Sequence, residues 1–379
     1  MKIQKLEFGD RAKYWYLKSL EFSPNINLLV GISGAGKTKI ISSILALKKI
    51  VSGDSFNGVY WDITFLTKDN VSYRWQGEFA TVEESKIKVN DSEEEDKFKI
   101  ISEYLSKDEQ VIIERDSEKI IFKGEKVPKL SPFESIVELL NQEKDISPVK
   151  EEFNKIILSN LDTNFAGIWM IPISQLTSIL AKYKDSSLSQ IQESSLSSII
   201  KLFLVYQYLP ETFNTIKEKF IEIFDTVEDL KIQSLFVEKF PESLTDFKEA
   251  KALLFKEKGV SNWIVPPNIS SGILKTFMYI SELYLSPEGS VILIDEFENS
   301  LGVNCINSVT DLILENLRLQ FIVTSHHPYI IHNIGNKYWK IITRQGNTVR
   351  VKEPQELGIS QSRHQGFIDL INVLEELSE

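Results

Sequence analysis

The run Asn25-Ile26-Asn27-Leu28-Leu29-Val30 followed by Gly31-Ile32-Ser33-Gly34-Ala35-Gly36-Lys37-Thr38 constrains this chain more than any other stretch. An apolar strand enters a glycine-rich turn, and a segment rich in isoleucine, leucine and alanine leaves it from Lys39. That is G-x-x-x-x-G-K-[ST] with the strand before and the helix after that the pattern requires. Three glycines let the backbone fold tightly, so that successive N–H groups converge on phosphate oxygens, and the helix N-terminus adds its positive dipole end. Gly31, Ser33, Gly34, Ala35, Gly36 and Lys37 are therefore the candidate phosphate-binding residues. Lys37 reaches for the β/γ-phosphates, and the Thr38 hydroxyl is a candidate Mg²⁺ ligand. A chain built this way is expected to bind a nucleoside triphosphate.

At 379 residues the chain can bury a large core. Its formal charge of −11 argues against a broad nucleic-acid-coating surface, though not against a local basic groove. Cys305 is the only cysteine, which excludes a disulfide framework and points to a reducing compartment. No apolar run approaches the ~20 residues that span a bilayer, and Met1–Phe8 alternates like a strand rather than a signal peptide. A cytoplasmic protein with no membrane partner is expected.

Residues 2–8 and 13–22 read as a hairpin, with Tyr14 and Tyr16 on its half-buried face. Val59, Trp61, Ile63 and Phe65 alternate with polar neighbours, turn at Asp69-Asn70, and resume at Tyr73, Trp75 and Phe79. A second hairpin reads at Gln110–Arg115 and Lys119–Lys123, and the acidic run Asn90–Asp96 reads as a solvated loop. Ser131-Pro132-Phe133-Glu134 has the form of a capping box before Ile136, Leu139 and Leu140. Ser147-Pro148 starts another helix, residues 165–175 are extended and apolar, and 176–258 read as helices broken near Pro210 and Pro241. Alternation then returns: a helix from Ser271, a strand at Val291–Ile294, a helix at 303–317 and a strand at Gln320–Val323. A hairpin over 338–352 and a helix from Arg363 follow. Strand–helix alternation predicts an α/β fold with a parallel sheet covered by helices. The P-loop strand is expected in that sheet, with residues 55–260 inserted between its halves. The expected domains are 1–130, a helical lobe at 131–260, and 261–379.

Val291-Ile292-Leu293-Ile294 delivers Asp295 and Glu296 to the carboxyl edge of that sheet. One carboxylate there holds Mg²⁺, and the next orients or deprotonates a water. Phe321-Ile322-Val323-Thr324-Ser325 similarly delivers His326, a candidate hydrogen-bond donor to a γ-phosphate or to the water. Asn268-Ile269-Ser270-Ser271-Gly272 opens a long helix. Ser270, Ser271 and Gly272 there are either plain caps or an anion-binding helix end.

These stretches, in this order, resemble the ABC-type ATPase fold of SMC/RecF/OLD-like proteins over roughly 1–55 and 262–345. The resemblance implies an ABC-ATPase P-loop fold with mixed and antiparallel sheets plus an inserted helical lobe. It makes Gly31–Thr38 Walker A, Asp295-Glu296 Walker B with the catalytic glutamate, and His326 the switch histidine. Ile269–Ile273 falls where the family has its L-S-G-G-Q signature, with serine for the first glycine and isoleucine for the glutamine. Gln175 is the Q-loop candidate for the metal, with Gln76 competing. It further implies ATP and Mg²⁺, and a homodimer or higher oligomer closing two ATP molecules between each P-loop and the other copy's Ser270/Gly272 helix end. More locally, Ser270–Thr276, Asp295–Ser300, Thr324–Pro328 and Ser362-Arg363-His364 look like AAA_15-type ATPases of antiphage systems such as Septu and PARIS. That likeness implies a sensor or scaffold controlling a separately encoded nuclease, with DNA or a phage protein as trigger. The alternative is a RecF- or SMC-like DNA-repair ATPase. Arg363 and His364 stay open between catalysis, partner binding and a solvated helix start.

Overall fold

The computed structural model describes residues 1–82, 97–159, 167–170, 172–236, 249–299, 301 and 303–376. The acidic run at 90–96 and Pro241 lie outside the described residues. The chain divides into two compact units: Met1–Leu158 with Glu288–Phe297 and Leu317–Glu379, and Ser159–Pro287 with Glu298–Asn316.

The first unit opens with β1 (Lys2–Asp10), β2 (Trp15–Glu21), β3 (Ile26–Val30) and α1 (Lys37–Val51). Then come β4 (Val59–Leu66), β5 (Ser72–Phe79), β6 (Ile100–Lys107), β7 (Gln110–Arg115), β8 (Ile120–Phe122) and β9 (Glu125–Lys126). Two short helices, α2 (Ile136–Leu139) and α3 (Ser147–Asn154), lead to β10 (Ile156–Leu158). The second unit holds β11 (Ile168–Met170), α4 (Ile173–Tyr183), α5 (Leu188–Glu193), α6 (Ser198–Tyr208) and α7 (Pro210–Ile223). It continues with β12 (Val227–Phe236), β13 (Glu249–Glu257) and α8 (Ser271–Leu285). The chain returns to the first unit for β14 (Val291–Ile294), adds α9 (Val303–Glu315) to the second, and comes back again. It ends with β15 (Gln320–Thr324), α10 (Pro328–Ile334), β16 (Trp339–Gln345), β17 (Thr348–Lys352) and α11 (Arg363–Glu376). No helix among the described residues is long and apolar enough to cross a membrane.

One fourteen-stranded sheet runs through the first unit in the order β10-β14-β15-β3-β16-β17-β2-β1-β4-β5-β6-β7-β8-β9. From β10 to β16 neighbouring strands are parallel, and from β1 outward through β9 they are antiparallel. The parallel strands β3, β14 and β15 are buried at every residue, as continuous apolar runs covered on both faces must be. The antiparallel strand β4 alternates, burying Val59, Trp61, Ile63 and Phe65. Against them pack Trp75, 4.8 Å from Trp61 between ring centroids, and Phe153, edge-on to Trp75 at 5.4 Å.

Four expectations change. Residues 59–158 are not an insertion outside the P-loop sheet, because β4–β10 are rungs of it. Residues 227–236 and 249–257 are strands, pairing Leu230 with Phe255 and Ile232 with Leu253. Glu249-Ala250-Lys251-Ala252-Leu253-Leu254 is made of strong helix formers, and cross-strand packing overrides that local preference. The helix after residue 131 begins at Ser135, whose Oγ accepts from Val137 N; Ser131–Glu134 lies outside it. The buried Glu103 carboxylate decides that start, accepting from Ser135 Oγ at 2.5 Å, Ile136 N at 2.9 Å and Trp75 Nε1 at 2.9 Å. Lastly, the buried face of β2 carries Trp15, Leu17 and Leu20, leaving Tyr14 exposed and Tyr16 stacked on Tyr60.

Candidate functional site

β3 passes into the glycine-rich loop at Gly31, and α1 begins at Lys37 with Gly36 as its N-cap. Gly36 has φ 107° and no side chain caps the helix, so its first-turn N–H groups face the loop's hollow end. Glycine is required at two points for different reasons. A Cβ on Gly31 would stand 2.5 Å from the Ile342 carbonyl oxygen, and one on Gly36 would stand 2.9 Å from Val349 Cγ2 at a φ that side chains avoid. Lys37 is buried, and its ammonium donates to the carbonyls of Gly31 at 2.8 Å and Ile32 at 3.0 Å. Ser33, Gly34 and Thr38 are exposed and Ala35 is buried.

Two buried parallel neighbours bring the acidic side to the same edge. Just past β14 stands Asp295, and at the end of β15 stands Thr324, which pairs with Leu29 of β3. Thr324 Oγ1 donates to Asp295 Oδ1 at 2.6 Å and accepts from Glu296 N at 2.8 Å, while Phe297 N donates to the Thr324 carbonyl at 3.0 Å. Asp295 Oδ1 also accepts from Thr38 Oγ1 at 3.2 Å. The glycine-rich loop and the end of the Asp-Glu strand are thus joined by one hydrogen-bond chain. Two oxygens bound side by side to one Mg²⁺ stand ~3 Å apart, so the Thr38–Asp295 spacing and all-oxygen chemistry fit that ion. Glu296 is exposed and holds φ 50°, a left-handed conformation costing about 1–3 kcal/mol in a non-glycine residue. Thr324 fixes that strained turn from both sides. His326 follows buried Ser325 and is itself exposed, and Ser325 Oγ accepts from His327 N at 3.0 Å.

The remaining expected residues lie elsewhere. Ser270, Ser271 and Gly272 belong to the second unit. Ser270 is the N-cap of α8, its Oγ accepting from Ile273 N at 3.4 Å. The far end of α8 is pinned by a buried carboxylate, Glu282, which accepts from Ser159 Oγ and from Ser198 Oγ at 3.5 Å. Burial pushes the Glu282 carboxyl up. Gln175 is exposed in the first turn of α4, in the second unit, so it ends no extended run. Gln76 lies in β5 and donates to Asp62 Oδ2 at 3.0 Å. Arg363 and His364 are exposed at the start of α11.

Sequence reasoning quoted Thr324 only within longer stretches such as Thr324–Pro328 and gave it no role of its own. It placed Tyr14 and Tyr16 on the half-buried face of their strand without weighing Trp15. Trp15 is buried, its Nε1 has no hydrogen-bond partner, and that atom stands 3.6 Å from the Cβ position of Gly36. Lys39 Nζ sits 5.8 Å from the Trp15 ring. Beside them is a cavity of about 280 Å³ lined by Phe8, Trp15, Lys39, Ala46, Phe56 and Val59.

A search of solved structures matches this architecture to SMC head domains. An SMC head bound to the C-winged helix domain of ScpA superposes with a TM-score of 0.51 at 17% identity, over 93% of this chain and 98% of that chain. A Pyrococcus furiosus SMC head with an extended coiled coil, bound to the C-terminal domain of ScpA, gives 0.47 at 16% identity over the whole of both chains. The Thermotoga maritima SMC head domain gives 0.44 at 13%, over 93% and 99%. The first of these identifies the fold as that of the SMC/ABC-type P-loop ATPases, a mixed sheet with helical insertions. No curated protein matches the sequence significantly. The profile of the AAA_21 family, described as "AAA domain, putative AbiEii toxin, Type IV TA system", matches residues 26–332, from the P-loop strand to beyond His326. This chain belongs to the AAA_21 family.

Proposed function

We propose that the protein is an ATP-binding and ATP-hydrolysing ATPase of the SMC/RecF kind, in which two copies close around ATP. The observation that carries this reading is the hydrogen-bond chain Thr38–Asp295–Thr324–Glu296, which links the phosphate loop to the backbone N–H of an exposed glutamate. In this reading the loop N–H groups and Lys37 hold the β- and γ-phosphates, and the cavity beside Trp15 takes the base. Thr38 and Asp295 would hold Mg²⁺, which supplies charge neutralisation on the phosphates when bound. Glu296, set by Thr324, orients the attacking water and takes its proton, and His326 donates a hydrogen bond to the γ-phosphate. A water approaching in line is then fixed by groups that need no rearrangement at the moment of reaction. Ser270 and Gly272 of the second copy would complete the site.

The accompanying task is ATP-dependent engagement of DNA, in keeping with the fold neighbours being SMC heads. The −11 charge restricts that contact to a local surface. The test pairs two variants. Glu296→Gln should retain ATP binding, lower hydrolysis by about 10²–10⁴-fold, and accumulate an ATP-dependent dimer by light scattering. Lys37→Ala should lose binding. Wild-type hydrolysis by Glu296→Gln would remove Glu296 from the mechanism. Duplex-DNA binding with and without ATP, across a salt series, tests the second half.

One observation favours a second reading, an antiphage sensor or scaffold controlling a separately encoded nuclease. It is the toxin–antitoxin wording of the family description, together with the Ser270–Thr276 and Asp295–Ser300 stretches. ATPase turnover that responds to an added nuclease partner and not to duplex DNA would decide for it.

A further inference from the structure

The hairpin β16–β17 lies beyond the residues the family profile matches, yet it touches the phosphate loop at three points. The Ile342 carbonyl bears on Gly31 and the Val349 side chain on Gly36. The third contact is polar: Arg344 Nη1 donates to the Gly34 carbonyl at 3.4 Å, while its Nε donates to the Gly346 carbonyl at 2.7 Å. The hairpin is itself braced on both sides. β16 pairs with the P-loop strand through Trp339↔Leu28 to Ile341↔Val30, and β17 pairs with β2 through Thr348↔Tyr16 and Val349↔Leu17.

The Gly34–Ala35 peptide needs such an external hold. It sits between Gly34 at φ 79° and Gly36 at φ 107°, and glycine crosses between backbone basins at little cost. A peptide plane that turns over exchanges its N–H for its C=O, so one convergent donor of the cradle would become a carbonyl facing phosphate. Arg344 holds the Gly34 carbonyl while the Ala35 N–H of the same peptide donates to the Ile32 carbonyl at 3.2 Å, so the plane is fixed from both of its polar ends. We propose that the β16–β17 hairpin is the wall that sets the phosphate loop, with Arg344 as the positioning residue that fixes the Gly34–Ala35 peptide for nucleotide binding. This rests on the nucleotide reading of the P-loop.

Because the loop tip cradles phosphates common to both nucleotides, Arg344 acts on ADP and ATP alike and not on the chemical step. Titrating fluorescent ADP and ATP analogues into the full chain tests this. Arg344→Gln should weaken both nucleotides by about tenfold, the size expected for losing one charged hydrogen bond. It should leave kcat at saturating ATP and the unfolding midpoint of the nucleotide-free protein unmoved. Arg344→Lys keeps the charge and one donor but not the two-point grip, and should fall in between; it carries the same comparison if the glutamine variant misfolds. Unchanged affinity for both nucleotides in either folded variant overturns the proposal, as does a loss of kcat with ADP affinity intact. If the wild-type protein binds neither nucleotide, the nucleotide reading itself is what has failed.

Discussion

The parallel half of the large sheet and its antiparallel half are one continuous ladder with opposite habits. The central parallel strands β3, β14 and β15 are sealed on both faces, and the candidate site residues sit at or just past their ends, where packing no longer dictates the side chain. From β4 to β7 the sheet is sealed on one face by Trp61, Trp75 and Phe79. The other face carries ion pairs such as Arg74–Asp62 at 2.6 Å and Arg11–Glu78 at 2.8 Å. Stability and chemistry are therefore separable along the same sheet. Substitution in the meander should move the first, and substitution at the parallel strand ends should move the second.

The largest expected effect lies in the meander. Trp75 is fully buried between Trp61 and Phe153, and its Nε1 donates to the buried Glu103 at 2.9 Å. Trp75→Ala should cost about 3–5 kcal/mol in a urea melt, through the cavity and the lost partner of Glu103. Nucleotide affinity of the molecules that remain folded should be unchanged. A fall in affinity at constant folded fraction would break the separation of the two halves.

The strand ends supply the converse. Thr324→Val keeps the shape but deletes the hydroxyl that donates to Asp295 and accepts from Glu296 N. Hydrolysis should fall by about 10–100-fold because the strained Glu296 turn loses its holder, while stability drops only about 1–2 kcal/mol for one unpaired amide. Steady-state ATPase beside a denaturation curve checks this, and a loss of activity that only tracked the loss of folded protein would overturn it.

The same division explains what was legible. Continuous apolar runs ending in Gly31–Thr38 or in Asp295-Glu296 announce a parallel strand and its site together, and strict alternation at Val59–Phe65 announces the meander. The hydrogen bonds of Thr324 and Arg344 are not announced, although Thr324 stands in a quoted stretch, because they depend on partners on neighbouring strands and loops that sequence spacing cannot bring together. Ala250–Leu254 misleads for a related reason, since its helix-forming residues become a strand by pairing with 231–235 on one side and 168–170 on the other. Ser135, rather than Ser131, caps its helix because of Glu103, thirty-odd residues away in sequence.

The smallest effect sharpens the comparison from the meander's surface. Asp145 receives Lys107 Nζ at 2.6 Å and Lys123 Nζ at 2.5 Å. Those hydrogen bonds, Lys107's first, hold its carboxyl down from the usual 3.8 to about 2. A carboxyl lower in the fold than in the unfolded chain stabilises above the unfolded value, and that contribution drains away as pH falls from about 4 towards 2. Solvent screens both lysines, so Asp145→Asn should cost less than about 1 kcal/mol at neutral pH. The difference from wild type should shrink in roughly 0.5 M salt and narrow progressively below pH 4. A gap that persisted undiminished at low pH would show that the aspartate acts through packing and not through its charge. ATPase activity should be untouched throughout, since both lysines belong to the antiparallel half of the sheet and its turns, away from the candidate site.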